Sequence, residues 1–282
     1  MTDSPLSSAD AKSIRDAIAE TLQNGSLGAL ITVIQSDHLA VGAKLFVGDT
    51  GQTVGELADD DLSRAVVAAA AEFLRSRAAT RMISLGEIAP EFPDKSGSQF
   101  MFERIEAEPQ LVIAGAGHVG ASLARLAALV GYRVTLIDDR AEFVAREKFA
   151  TALEQGIELV CAGNWTDALR AASISGHGVS IAIVTRGHKQ DEDCLRAALE
   201  TQPDYIGMIG SKRRTNIVLE KLREEGCAEV ELRRVRAPIG LDIGAVSPEE
   251  VALAILAEII AERRGGAGGS LSSWRRALVP AS

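Results

Sequence analysis

Residues 110–140 read QLVIAGAGHVGASLARLAALVGYRVTLIDDR: an apolar run, three glycines spaced G-x-G-x-x-G, a stretch of helical periodicity, a second apolar run and an acidic pair. No other stretch limits the fold as strongly. The pattern predicts a buried strand, a tight turn, a helix opening at the turn, and a second parallel strand. Gly115, Gly117 and Gly120 let the backbone turn, approach a phosphate closely and aim helix N–H groups at negative charge. Asp138 ends the second strand, where a carboxylate takes a ribose hydroxyl, and Arg140 stands where an extra phosphate would be met. The motif names a fold and a phosphate. It leaves open whether the ligand is a nicotinamide dinucleotide or another phosphate carrier.

From there the strand-helix rhythm continues. LVIAG, RVTLID, IELVCA, VSIAIVT and DYIGMIG are five buried apolar runs of the kind a parallel sheet requires, with helices expected over 118–130, 141–149, 166–172, 191–201 and 215–225. This order predicts a doubly wound, Rossmann-type sheet with its ligand crevice at the carboxyl ends of the strands. A last helix opens at SPEE, where Ser247 caps, Pro248 fits the first turn and Glu250 completes a capping box, and it stops at Gly265. Before the fingerprint the pattern differs. A helix over 10–22, strands in LGALITVIQ and AKLFVGDTGQTVGEL, an Ala-rich helix over 61–77, and strands in RMISLGEI and SQFMFERIEA are expected, with a mobile loop at APEFPDKSGS. The expected class is therefore α/β: a small α/β domain over 1–108, a Rossmann-type parallel-sheet domain over 109–265, and a flexible tail over 266–282 carrying Trp274.

Composition narrows the function. With 282 residues, 46% of them hydrophobic, the chain has room for one large or two ordinary domains with proper cores. A net charge of -9 and a pI near 5.1 argue against nucleic acid as a partner. Cys161, Cys194 and Cys227 are odd in number and far apart, as expected of reduced thiols in the cytoplasm. The polar start MTDSPLSSADAK does not read as a signal peptide, and glycines, His118 and Arg125 break the most apolar stretch, so no membrane span is expected.

Four further features fall on the crevice rim. His118, directly after Gly117, is either a neutral hydrogen-bonding group beside the ligand, since a helix N-terminus disfavours a cation, or an exposed first-turn residue. VTRGHKQDEDC places His188 near Asp191, Glu192 and Cys194. It reads either as a His-Cys nucleophilic pair or, more simply, as a helix start with Asp191 as N-cap and Cys194 as a small buried residue. GMIGSKRRT offers Gly210, Ser211 and Lys212 as a second anion site, with Arg213 and Arg214 adding charge, against the alternative of a solvated basic helix start. In APIGLDIGAVSPEE, Pro238, Gly240 and Gly244 force a tight loop past the same rim, and Asp242 sits in it. No CxxC, HxH or HExxH spacing occurs, so a metal would arrive inside a ligand.

LVIAGAGHVG, TLIDDRAEF, YIGMIGSKRR and APIGLDIGAVSPEEVALAILAEIIAERRG, in that order, resemble the xanthine dehydrogenase accessory factor family, which includes the carbon monoxide dehydrogenase maturation factors. The resemblance implies a maturation factor that binds the molybdenum cofactor, a pyranopterin in mononucleotide or dinucleotide form, supports its sulfuration and passes it to an apo molybdenum hydroxylase. A cysteine desulfurase is a further partner so implied. Relatives carry GSAPR-like and GGGCLE-like segments where this chain has QSDHLAVGAK and VGELADDDL, without the arginine or the cysteine. Any sulfur handling by a thiol then falls to Cys161 or Cys194. Two other classes remain open on the residues alone. One is an NAD(P)-dependent oxidoreductase with His188 as acid-base residue and Asp138 or Arg140 choosing the nucleotide. The other is a nucleotide-sensing scaffold binding a partner through the N-terminal domain and the Trp274 tail. Homo-oligomerisation through the apolar N-terminal helices is also an expectation.

Overall fold

The computed structural model describes residues 8–57, 60–76, 78–90, 97–173 and 178–272. Two compact units divide the chain, Met1–Ala107 and Glu108–Ser282.

The first unit contains α1 (Ser8–Gln23), β1 (Leu27–Gln35), β2 (Lys44–Gly48), β3 (Thr53–Gly55), α2 (Asp60–Arg75), β4 (Thr80–Ser84), α3 (Leu85–Ile88) and β5 (Gln99–Glu106). Its antiparallel sheet has the order β3-β2-β1-β5-β4. Alternation along β1 puts Ala29, Ile31 and Val33 on one face, where Leu62, Val66, Ala70 and Phe73 of α2 cover them at helical spacing. Phe46 faces the other way and packs with Ile14 and Ala17 of α1. The stretch AKLFVGDTGQTVGEL is a hairpin of two strands, turned at Gly51, whose φ is +86°. LGEI at the end of RMISLGEI is the helix α3.

The second unit contains β6 (Gln110–Ala114), α4 (His118–Leu129), β7 (Arg133–Asp138), β8 (Glu158–Cys161), α5 (Trp165–Ala172), β9 (Val179–Ile183), α6 (His188–Thr201), β10 (Tyr205–Met208), α7 (Lys212–Glu224), α8 (Glu229–Leu232), β11 (Val235–Arg236) and α9 (Pro248–Arg264). All pairings in its six-stranded sheet are parallel, in the order β11-β10-β9-β6-β7-β8. That order reverses between β6 and β9, the switch point at which a doubly wound sheet opens its crevice. Helices α4 and α9 bury Leu123, Ala127, Ile255 and Ile259 on one face of the sheet, and α5, α6 and α7 bury Leu169, Leu195, Val218 and Leu222 on the other.

Two expectations are corrected, and one short strand is added. Residues 141–149 form two short 3-10 turns, Ala141–Phe143 and Arg146–Lys148, instead of a helix. The two side chains that reach the core there, Val144 and Phe149, are five residues apart and would fall on different faces of a helix. Helices α6 and α7 begin three residues before the expected 191 and 215, which changes the role of Asp191. The two-residue strand β11 carries no run long enough to be read from sequence. The Trp274 tail and most of the loop expected to be mobile lie outside the described residues.

Candidate functional site

The glycine turn is shaped by three separate demands. Gly115 has φ +112°, and a Cβ there would come within 2.6 Å of the Val184 carbonyl oxygen. A Cβ on Gly120 would stand 1.8 Å from the Gly115 oxygen, so α4 docks against the turn only through glycine. Gly117 is different. As N-cap of α4 it has an ordinary φ of -65°, and an added Cβ would meet no atom within 4 Å. Nothing among the described residues requires glycine at 117; the open space beside it belongs to a crevice.

That crevice has a volume of about 390 Å³. First-turn residues of five helices line it: His118 of α4, Trp165 of α5, Gln190 of α6, Arg214 of α7 and Pro248 of α9. Each helix N-terminus carries roughly half a positive charge on its unpaired N–H groups, so their convergence makes this a place for an anion.

Of the residues singled out in the sequence, Gly115, Gly117, His118, Asp138, Arg140 and Gly210 line the crevice, with His118 exposed at the start of α4. Gly120 is buried behind them. His188 is the first residue of α6, and its side chain lies outside the described residues. Ser211 is the N-cap of α7, accepting the Arg214 N–H at 3.3 Å. Ser211, Lys212 and Asp242 are exposed, and the crevice wall does not include them.

Asp138 is 1% exposed, and its carboxylate is already engaged. It accepts the Ala116 N–H at 2.7 Å and, from Arg140, the backbone N–H at 3.0 Å, Nε at 2.8 Å and an NH2 group at 2.9 Å. Burial works to raise its pKa, but these hydrogen bonds and the Arg140 charge outweigh it and hold the carboxyl below the ordinary range. The expected ribose contact is therefore corrected: Asp138 fixes the glycine turn and Arg140, whose guanidinium also lies 3.6 Å from the centre of the Phe143 ring. The crevice carboxylate with an accessible side chain is the next residue, Asp139, paired at 3.8 Å with Arg140 and at 3.7 Å with Arg186. Sequence reading missed Asp139, Arg186, Trp165, Thr185 and Gln190. The usable signal was position alone: Asp139 follows β7 directly, Thr185 and Arg186 lie in the turn after β9, Trp165 opens α5, and Gln190 is in the first turn of α6.

Asp191 is not an N-cap. Gly187 caps α6, and Asp191 lies fully buried within the first turns, accepting the Thr185 hydroxyl and an NH2 group of Arg214. The Nε of Arg214 is itself buried and has no hydrogen-bond partner among the described residues. An orphaned buried donor of this kind costs about 1–3 kcal/mol.

Of the two thiols expected to handle sulfur, Cys161 and Cys194, one is shut away in the core and one is exposed. Cys194 is fully buried, and burial, followed by the charge of Asp191, pushes its thiol far up. The expected alternative of a His188–Cys194 nucleophilic pair is corrected by that environment, which keeps the thiol buried. Cys161 is exposed at the end of β8, paired in register with Asp138. No group of His, Cys, Asp and Glu side chains among the described residues has the geometry to hold a metal ion. No helix among them is long and apolar enough to cross a membrane.

Comparison with known proteins places this geometry. The XdhC Rossmann domain family matches residues 111–259, and the XdhC and CoxI family matches residues 21–86. The uncharacterized protein YqeB of Escherichia coli is 30% identical over 232 residues, 80% of this chain and 41% of that protein. A Bacillus subtilis protein described as a probable xanthine dehydrogenase subunit is 30% identical over 175 residues, 62% of this chain and 48% of that one. The molybdenum cofactor insertion chaperone PaoD of Escherichia coli is 39% identical over 69 residues, 24% of this chain and 22% of PaoD. The chain thus spans less than half the length of these curated relatives. Among solved structures, a xanthine dehydrogenase from Bacillus halodurans shares the fold with a TM-score of 0.62 at 23% identity, over 94% of this chain and 68% of that chain.

Proposed function

The chain belongs to the XdhC family, and from that premise we propose that it is a maturation factor which binds the molybdenum cofactor in the Rossmann crevice and passes it to an apo molybdenum hydroxylase of the xanthine or carbon monoxide dehydrogenase type. The observation that carries this reading is Gly117: a glycine that no internal contact requires, set where five helix N-termini converge. A pterin phosphate fits such a cradle. Its oxygens would take the first-turn N–H groups of α4, close to a backbone that only a residue without a side chain leaves open. His118 would stand beside it as a hydrogen-bonding group, and Arg140, braced by Asp138 and Phe143, would border the same wall. When bound, the group supplies the molybdenum centre that the hydroxylase uses. This chain's residues hold it, shield it and let it go.

Sulfuration belongs to the same proposal in a restricted form. With Cys194 buried and protonated, the chain's part is to present the cofactor while a cysteine desulfurase partner supplies the sulfur.

The deciding experiment is to purify the protein from a host that makes the cofactor and identify what comes with it, for the wild type and for Gly117→Val. A molybdenum-containing pterin in the wild type, lost in a folded Gly117→Val variant, is the expected result. Nicotinamide nucleotide in its place would move the protein to the oxidoreductases, and no retained or titratable pterin would end the maturation reading.

A further inference from the structure

We infer that Arg214, rather than Lys212, is the cation that clamps the ligand's anionic group at the β10 end of the crevice, and that Asp191 is its positioning residue. This rests on the cofactor reading above for the identity of the ligand, but its geometry stands apart from it. Arg214 is the third residue of α7 and lines the crevice, whereas Lys212, two residues earlier, is exposed and outside the wall. Gly210, at φ +155°, brings the chain round so that the Arg214 stem packs over it: a Cβ on residue 210 would lie 3.4 Å from the Arg214 Cδ. Asp191, fully buried and oriented by the Thr185 hydroxyl, holds one NH2 group of the guanidinium. The Nε–H is buried and without an acceptor among the described residues, while 24% of the side chain stays exposed on the crevice wall.

A guanidinium pinned at one end by a buried carboxylate presents its remaining donors in a fixed fork, the geometry that suits phosphate oxygens. An exposed lysine offers only a mobile point charge. Arg214 follows β10 and the glycine turn follows β6, strands on either side of the switch point, and both line the crevice, so it holds two kinds of group suited to an anion, backbone N–H groups and a guanidinium. The ligand class that uses both carries either two phosphates or one phosphate and a second anionic group.

Titration calorimetry on the full chain tests this with two probes, molybdenum cofactor released from a purified molybdoenzyme and inorganic pyrophosphate. Arg214→Ala is expected to bind both at least about tenfold more weakly, Arg214→Lys to regain only part of that, and Lys212→Ala to stay within about twofold of wild type. Asp191→Asn should weaken binding on its own but have no further effect in the Arg214→Ala background, because it acts through Arg214. Should Asp191→Asn melt below the assay temperature, Thr185→Ala carries the same expectation. Wild-type affinity in a folded Arg214→Ala variant, or losses at 191 and 214 that simply add, overturns the clamp. If the wild type binds cofactor without help from Arg214, the clamp falls and the cofactor reading stands. If it binds pyrophosphate through Arg214 but no cofactor, the cofactor reading falls and the clamp stands. Binding of neither probe overturns both.

Discussion

Gly117 and Gly120 stand three residues apart in the same fingerprint, yet the structure gives them opposite reasons to be glycine. At Gly120 the α4 backbone touches the turn, so Gly120→Ala forces a clash with the Gly115 carbonyl and is expected to cost about 2–4 kcal/mol of stability by chemical denaturation. At Gly117 the side chain would enter open crevice. Gly117→Val should therefore keep stability within about 1 kcal/mol of wild type while lowering ligand affinity at least tenfold. Equal destabilisation by both substitutions would show that the 117 position is structural. Asp138 and Glu154 are two of the carboxylates that the fold holds below their ordinary range. Hydrogen bonds and the Arg140 charge depress Asp138 against the effect of burial, and the Thr151 hydroxyl and Arg125 guanidinium hold Glu154 down to about 2. Both carboxylates have folded pKa values below their unfolded ones, so the stability they contribute is complete above about pH 5 and is lost as the pH falls toward 2. Denaturant midpoints measured from pH 7 to pH 2 should fall in that window, and Asp138→Asn should flatten the decline.

At the scale of elements, helix starts matter more than helix interiors, because they form the crevice. Helix α9 begins with Ser247 accepting the Glu250 N–H, the Glu250 carboxylate accepting the Ser247 N–H, and Pro248 in the first turn at the crevice wall. Removing the cap in Ser247→Ala should cost about 1 kcal/mol, or roughly 2–4 °C in Tm. The start of α9 would fray first, and pyrophosphate affinity should drop with it. An unchanged Tm would mean that packing of α9 against α4 fixes this end without the cap. The cap of α6 shows the opposite case. Four residues beyond Gly187, the run of acids looks like a cap in sequence, but the chain turns earlier and draws Asp191 inward to meet Thr185 and Arg214.

Across the whole molecule, each unit has its own cores: α2 and α1 close the two faces of the antiparallel sheet, and two helix layers close the parallel one. A fragment of residues 108–282 is accordingly expected to fold cooperatively and to bind pyrophosphate as the full chain does, read by circular dichroism melting and calorimetry. A fragment without a melting transition would show that the second unit depends on the first. The sequence by itself determined the Rossmann-type sheet, the glycine turn, the α9 capping box and the family likeness, because these rest on local rules: apolar runs, glycine geometry and side chains bonding their own backbone within four residues. Only the tertiary structure decided which charged groups face the ligand. Asp138 turned inward, Asp139 and Arg186 paired at the rim, Lys212 stayed in solvent, and Asp191 on α6 reached Arg214 on α7. Each of those outcomes joins residues from different strands and helices, and whether a charge is buried, paired or free is settled by what packs beside it, which spacing along one chain does not encode.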